Sequence, residues 1–279
     1  MTHSEIALQA AAAQASVGIK EHTAPLQYIT HDYSPAAGTQ FAGVSVPTIS
    51  LSAGDFDANS NNFCDAESIG GVVVTLDKRI KAAVQITDVE AGEVEVNIMR
   101  DGAKAITNAI TTAVNKYVFG TLSTDLSASF SGDSKSAYAQ LFKVATDNGL
   151  DPYNCTVVFT PEYFAKLMST LDANVYGGSE AIRDGVVPGM YGFAAVETSP
   201  FLPEGVKGYI IDNSSFAVVS RLDKPALDGY PITFVGKDES GLAIQFRAFE
   251  HLCEGREILA GSILVGAKVI NGDGVVKLV

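Results

Sequence analysis

The sequence predicts an α+β protein, and three stretches predict it. Across Glu93–Phe119 apolar residues recur at Met99, Ala103, Ile106, Ile110, Ala113 and Tyr117, in steps of three and four that draw one stripe down a helix. Across Val72–Thr87, Val72, Val74, Leu76, Ile80, Ala82, Val84 and Ile86 share one side of a period-two pattern that only Lys78 interrupts. Thr75, Asp77, Arg79, Lys81, Gln85 and Thr87 lie opposite, as in a strand with one covered face. The chain closes with the alternating Leu242–Phe249 and the apolar Ile258–Ile270, two further strands.

Taken in order, Met1–Gly18 is Ala-rich, and Ile6, Ala10, Ala13 and Val17 are spaced for a short amphipathic helix. It has little core of its own and needs another surface, such as a neighbouring subunit. Ile19–Thr39, broken by Pro25, Pro35 and Gly38, reads as an extended arm. Gln40–Leu51 is strand-like, with Pro47 suited to an edge. With Val72–Thr87 it forms a long ribbon around the polar tip Ala53–Gly70. A lone ribbon is marginal in water, so it is expected to lie on a neighbour. The long helix should run about 40 Å, with Glu93 and Glu95 at its positive end and Gly120 as its stop. Gly102 is its weak point, costing about 1 kcal/mol against Ala if exposed. By itself this stretch reads as the core helix of an ordinary domain.

Ser123–Ser136 is a polar linker. A second helix carries Tyr138, Leu141, Phe142 and Ala145 and stops at Gly149. Cys155–Phe159 is a buried strand. Thr160-Pro161-Glu162 opens a third helix with Phe164, Leu167, Met168 and Leu171. Ala173–Pro188 is a glycine-punctuated loop, followed by strands at Gly192–Glu197, Gly208–Ile211 and Ile232–Val235. Asp212 caps a short helix reaching Val219 in this reading.

Composition narrows the function classes. The 279 residues, 47% hydrophobic and 18% charged with no Trp, suit one or two globular domains. A net charge of −13 argues against a nucleic-acid groove as the dominant surface. Cys64, Cys155 and Cys253 have no metal-ligand spacing, and an odd count makes no disulfide framework. No signal peptide and no run long enough to span a bilayer is seen, so synthesis in the cytoplasm without an export signal is expected.

Catalytic motifs are missing. His3, His22, His31 and His251 are scattered. Asp55-Phe-Asp-Ala-Asn59-Ser-Asn61 resembles the start of a calcium loop, but Ser60 replaces the turn glycine and Ala66 the bidentate Glu. Gly177-Gly-Ser179-Glu-Ala181 lacks the last glycine of an esterase elbow. Asn271-Gly-Asp-Gly274 is a turn. A pair such as Asp212 and Asp223 carries little weight in a chain this acidic. No catalytic residue, cofactor or metal is expected.

The order of arm, long hairpin, long helix, mixed domain and returning strands resembles the major capsid (coat) protein of tailed phages. That is the Hong Kong ninety-seven fold, shared by encapsulin shells and the herpesvirus capsid floor. Val72–Gly120, Gly149–Pro161, Val187–Pro203 and Ala243–Arg256 carry the likeness. The resemblance implies an N-terminal arm at 1–39, an extension loop at 40–88, a peripheral domain from 89–148 with 241–279 that holds the spine helix, and an axial domain at 149–240. It implies self-assembly through hexamers and pentamers into an icosahedral virion shell around double-stranded DNA, bound without sequence specificity and without a membrane. Scaffolding, portal and decoration or cement proteins are the further partners it implies. An encapsulin-type compartment is the alternative, and a soluble enzyme working from 173–188 a third. Contacts between subunits are expected at Ile6, Val17, Val74, Leu76, Lys78, Arg79 and Lys81. Some relatives cross-link through an extension-loop lysine. The tip Ala53–Gly70 has none, so a noncovalent shell is expected, with a disulfide through Cys64 as the one covalent route.

Overall fold

The computed structural model describes residues 31–32, 43–49, 69–122, 124–170, 186–188, 190–221, 233–237, 243–251 and 256–279. Ile6, Val17, the calcium-like and esterase-like loops, Cys64, Asp223 and Cys253 lie outside them. So do the side chains of Glu93, Glu95 and Met99.

A single helix organises the rest. Helix α1 spans Asp88–Thr121, 34 residues, or about 51 Å at 1.5 Å per residue. It starts before the expected Glu93 and continues through Gly120, so that glycine is not its stop. Its buried arc holds Ala103, Ile106, Ile110, Val114, Val118 and Phe119, together with Thr107, Thr111 and Asn115. That arc is wider than the predicted stripe and turned away from Ala113 and Tyr117, which are half-buried. The threonines can enter because their hydroxyls donate back to the preceding turn, Thr107 to Ala103 O at 2.8 Å and Thr111 to Thr107 O at 2.9 Å.

One face of α1 lies on a six-stranded sheet. Its path is β1 (His31–Asp32), β10 (Phe216–Arg221), β13 (Arg256–Val269), β12 (Ala243–His251) and β11 (Thr233–Lys237), with β4 (Lys78–Thr87) on the other side of β13. Ile106 and Ile110 press on Gly261 of β13, where an added Cβ would collide with both. A side chain there would force the helix off the sheet.

The second six-stranded sheet runs β5 (Ser127–Ala128), β14 (Val275–Leu278), β9 (Gly208–Asp212), β6 (Cys155–Phe159), β8 (Ala195–Thr198), β7 (Val186–Pro188). Both its faces are covered, and its strands read as apolar runs for that reason. Val158, Tyr209, Ile211 and Val275 join the core around α1. Val157, Phe159, Ile210, Val276 and Leu278 face α2 (Lys135–Asp147) and α3 (Pro161–Thr170) through Tyr138, Leu141, Phe164 and Leu167. The Gly149 stop and the helix start at Thr160-Pro161 are as expected, whereas the cap at Ser134 was not anticipated. The Ser134 hydroxyl accepts from Ala137 N, Thr160 O accepts from Phe164 N at 2.9 Å, and Gly149 follows α2 at φ +78°.

Several expectations are corrected. Asp212 does not start a helix. Its carboxylate holds Ser214 and Ser215 in a turn, at 2.5 and 3.1 Å, and Phe216–Arg221 is a strand buried on both faces, with no polar side for a helix to expose. Val186–Pro188, assigned to loop, pairs with β8. The linker Ser123–Ser136 contains β5 and buries Phe130 against Tyr138 and Phe159. The final strand β14 was not anticipated. Sheet membership also crosses the boundary drawn at 240/241, since β10 pairs with β13 and β14 with β9.

The packing sets the expected cost of mutation. Ile106→Ala and Ile110→Ala should each lower unfolding free energy by about 2–5 kcal/mol in urea titrations. Exposed Lys116→Ala should change it by less than about 0.5 kcal/mol. Gly102 is buried, and an added Cβ would meet only Val84 and Leu259 at 3.8–3.9 Å. Gly102→Ala should therefore stabilise by about 0.5–1 kcal/mol.

Candidate assembly surface

Strands β2 (Gly43–Ile49) and β3 (Ile69–Thr75) pair antiparallel, Val44 opposite Val74 and Ile49 opposite Ile69. Alternation sends Val44, Val46 and Val74 inward with Leu76, against Ala217 and Val219 of β10. Val74 is fully buried and Leu76 is 9% exposed. These two predicted intersubunit residues are thus covered by their own chain. The pattern that marked them correctly showed a covered face; the cover is β10. The outward face, Ser45, Pro47, Gly71, Val73 and Thr75, is exposed and uncharged, with Val73 at 51%.

The expected single strand Val72–Thr87 is two. After β3 the chain breaks at Leu76–Asp77, leaves β2, and joins β13 as β4, with Lys78 opposite Val265 and Lys81 opposite Ser262. Three contacts fix the break. Thr75 crosses so close to Gly266 that any Cβ there would collide with its backbone. The Tyr117 hydroxyl donates to Asp77 Oδ1 at 2.6 Å, and burial first, then this carboxylate, pushes its pKa up to about 12. Lys268 Nζ donates to Val73 O at 3.2 Å.

Beyond the break, β4 turns Ile80, Ala82 and Val84 toward α1. Lys78, Arg79, Lys81, Ala83 and Gln85 are exposed. Its edge away from β13 has no strand partner among the described residues. The surface therefore offers an uncharged hairpin face, then a cationic open edge. Both suit protein contact; neither sets a nucleophile beside a base. The described residues hold no group of three or more metal-binding side chains, and none of the described helices is long and apolar enough to cross a membrane.

Two features escaped the sequence. Tyr153 is 69% exposed in the turn before β6, edge-on to Phe142; Pro152 in a capped turn was its only signal. Glu197 of β8 is 1% exposed, and neither carboxylate oxygen has a hydrogen-bond partner. It stands in register between Val158 of β6 and Val186 of β7. Burial alone pushes its pKa up to about 8.

No family model matches the chain, and no curated protein matches it. Solved structures do. The chain is similar to a Mycobacterium phage Che8 structure, at 18% identity and TM-score 0.58, covering 89% of this chain and 88% of that one. It is similar to the capsid of the cyanophage P-SCSP1u, at 14% identity and TM-score 0.59, over 89% and 85%. It is also similar to a virus-like particle from Pyrococcus furiosus, at 14% identity and TM-score 0.58, over 96% of both chains. This is the Hong Kong ninety-seven fold. In its terms β2–β3 is the extension loop and α1 the spine helix.

Within this fold Glu197 makes stability depend on pH. The folded state holds its proton to about pH 8, whereas the unfolded chain releases it above its ordinary 4.5. Between those values unfolding sheds a proton, so this residue's contribution falls as pH rises, and above about 8 it falls no further. Melting temperatures of wild type and Glu197→Gln should therefore diverge from pH 5 to pH 8, with the wild type losing ground. Parallel curves would assign the pH dependence elsewhere.

Proposed function

We propose that the protein is the major capsid protein of a tailed double-stranded DNA bacteriophage, assembling with itself through hexamers and pentamers into an icosahedral shell. The supporting observation is the match over most of both chains to capsid structures. The exposed, uncharged hairpin face and the cationic open edge of β4 agree with it, since both are surfaces that a neighbouring copy can cover. The role is structural, not enzymatic. The net charge of −13 suits a wall that encloses DNA without gripping it, because like charges keep the two mobile against each other. Of the predicted contacts, Lys78, Arg79 and Lys81 lie exposed on the surface. An axial domain within residues 149–240, and scaffolding, portal and decoration proteins as partners, belong to the same proposal. So do synthesis in the host cytoplasm and residence in the virion.

A second reading keeps the fold and changes the contents. The likeness to a virus-like particle over 96% of both chains fits an encapsulin-type compartment that holds protein. The test is expression alone, then negative-stain microscopy and analysis of the particle contents. Closed shells or capsomer rings are expected; a monomer under all assembly conditions would overturn both readings. Packaged DNA in native particles selects the phage shell, and an enclosed enzyme selects the compartment. On a denaturing gel the particles should give a single band near 29.3 kDa. A ladder that survives boiling with reductant would mean covalent cross-links.

A further inference from the structure

We propose that Glu197 is a proton-operated latch for the edge strand β7: while its carboxyl is neutral β7 stays paired to β8, and loss of the proton goes with β7 leaving an otherwise closed fold. Glu197 is 1% exposed, and neither of its oxygens has a hydrogen-bond partner. A neutral carboxyl tolerates such a site far better than a carboxylate, because a buried ion loses its hydration and gains nothing here. An ionised Glu197 must therefore reach water, and the fold must open to let it.

The pH dependence of overall stability does not say where the fold opens; the sheet does. On one side of β8, β6 holds the middle of the sheet, with five residues paired to β9 and four to β8. On the other side β7 is the last strand, three residues long, and β8 is its only strand partner among the described residues. One of the three is Pro188, which has no N–H to give the ladder. The turn before β8 is anchored independently of β7. Tyr191, at φ +50°, packs on the cluster beside α2. Gly192 lies so close to the Phe142 ring that a Cβ would collide with it, and Phe193 is buried. Strand β7 can thus leave while β8 and its turn stay.

No described charge competes for the proton. Strand β7 has no titratable side chain, and β6 has only Cys155. Helix α3 carries Glu162, Tyr163 and Lys166, but it packs with Val196 on the opposite face of β8. On the face of Glu197, the core that Val158 joins offers Tyr117 and Tyr209. After β8 come the exposed Glu204 and Lys207, which donates to Phe130 O at 2.6 Å. Burial is the whole cause of the raised pKa of Glu197. With β7 away the group returns to its ordinary 4.5, against about 8 when closed. Between those values each opening releases a proton, so the opening equilibrium rises with pH and levels off above about 8. Acid tightens the latch.

Hydrogen exchange of the full-length chain tests this. It is followed by mass spectrometry at pH 6, 7 and 8, each corrected for the intrinsic rate, with and without sub-denaturing urea. Protection of peptides within 186–198 should fall at least about tenfold from pH 6 to pH 8. It should not respond to the urea, because a local opening exposes little surface. Peptides from β13 and β14 should stay more protected and should respond. Glu197→Gln, neutral throughout, should keep at pH 8 the protection that wild type has at pH 6. Protection in 186–198 that ignores pH, or a Glu197→Gln variant that follows wild type, overturns the latch. So does exchange there that shares the urea response of β13, since the opening is then global. The wild-type series in pH and urea decides by itself if the variant does not fold. Soluble subunits and particles serve equally, so a chain that forms no shell removes the shell reading and leaves this test standing.

Discussion

The close seat of α1 on β13 is the contact on which the other packing depends. Ile106 and Ile110 reach the strand where Gly261 removes a side chain, so both side chains rest directly on the strand backbone. From that seat the helix continues under the second sheet, where Val114, Val118, Phe119 and Leu122 join Val158, Tyr209, Ile211 and Val275 in one apolar cluster. The Tyr209 hydroxyl donates to Leu122 O at 3.3 Å, pinning the helix end to the second sheet. The two sheets thus share a core through a helix that runs about 51 Å, and a load on one reaches the other through packed side chains. Close-packed interiors have few voids to absorb such a load.

That arrangement explains why the hairpin, small and two-stranded, holds its place. A two-stranded ribbon is marginal alone. Here it buries one face on β10 and is tied at its root by Gly266, Tyr117 and Lys268. Its buried face forms a cluster of its own with β10, and the root ties that cluster to α1 and β13. The arm is less separate than its composition suggested, since His31 and Asp32 pair with Ala217 and Val218 of β10.

Much of this was legible because it follows from periodicity. The inward set of Val72–Thr87, the stop at Gly149, the helix start at Thr160-Pro161, and the buried Cys155–Phe159 depend on local rules. What failed depends on partners distant in sequence. Alternation marks Val74 and Leu76 as covered without naming the cover. The helix stripe was misjudged because two sheets, not one, contact α1, and Thr107, Thr111 and Asn115 are drawn in with the apolar residues. Phe216–Arg221 looked helical from its cap, yet a strand buried on both faces has no alternation to show. Of the assembly surface, exposed Lys81 was legible; exposed Lys78, which the pattern put on the covered side, and the break at Leu76–Asp77 were not, since Gly266, which permits the break, lies 190 residues beyond Leu76.

A shell of the kind proposed would place identical copies in surroundings that differ, and the described residues differ in how firmly they are packed. The two sheets and α1 share core and cannot flex separately without opening cavities, which cost stability in proportion to their volume. In such a shell, differences between neighbours would be absorbed where packing against the core is one-sided: the outer face of β2–β3 and the open edge of β4. Those surfaces carry Ser, Gly, Thr and Lys more than large apolar groups, so small shifts there lose little buried area. Exposed ion pairs are individually weak, and weak contacts that tolerate displacement would let one rigid body occupy several positions in the proposed shell.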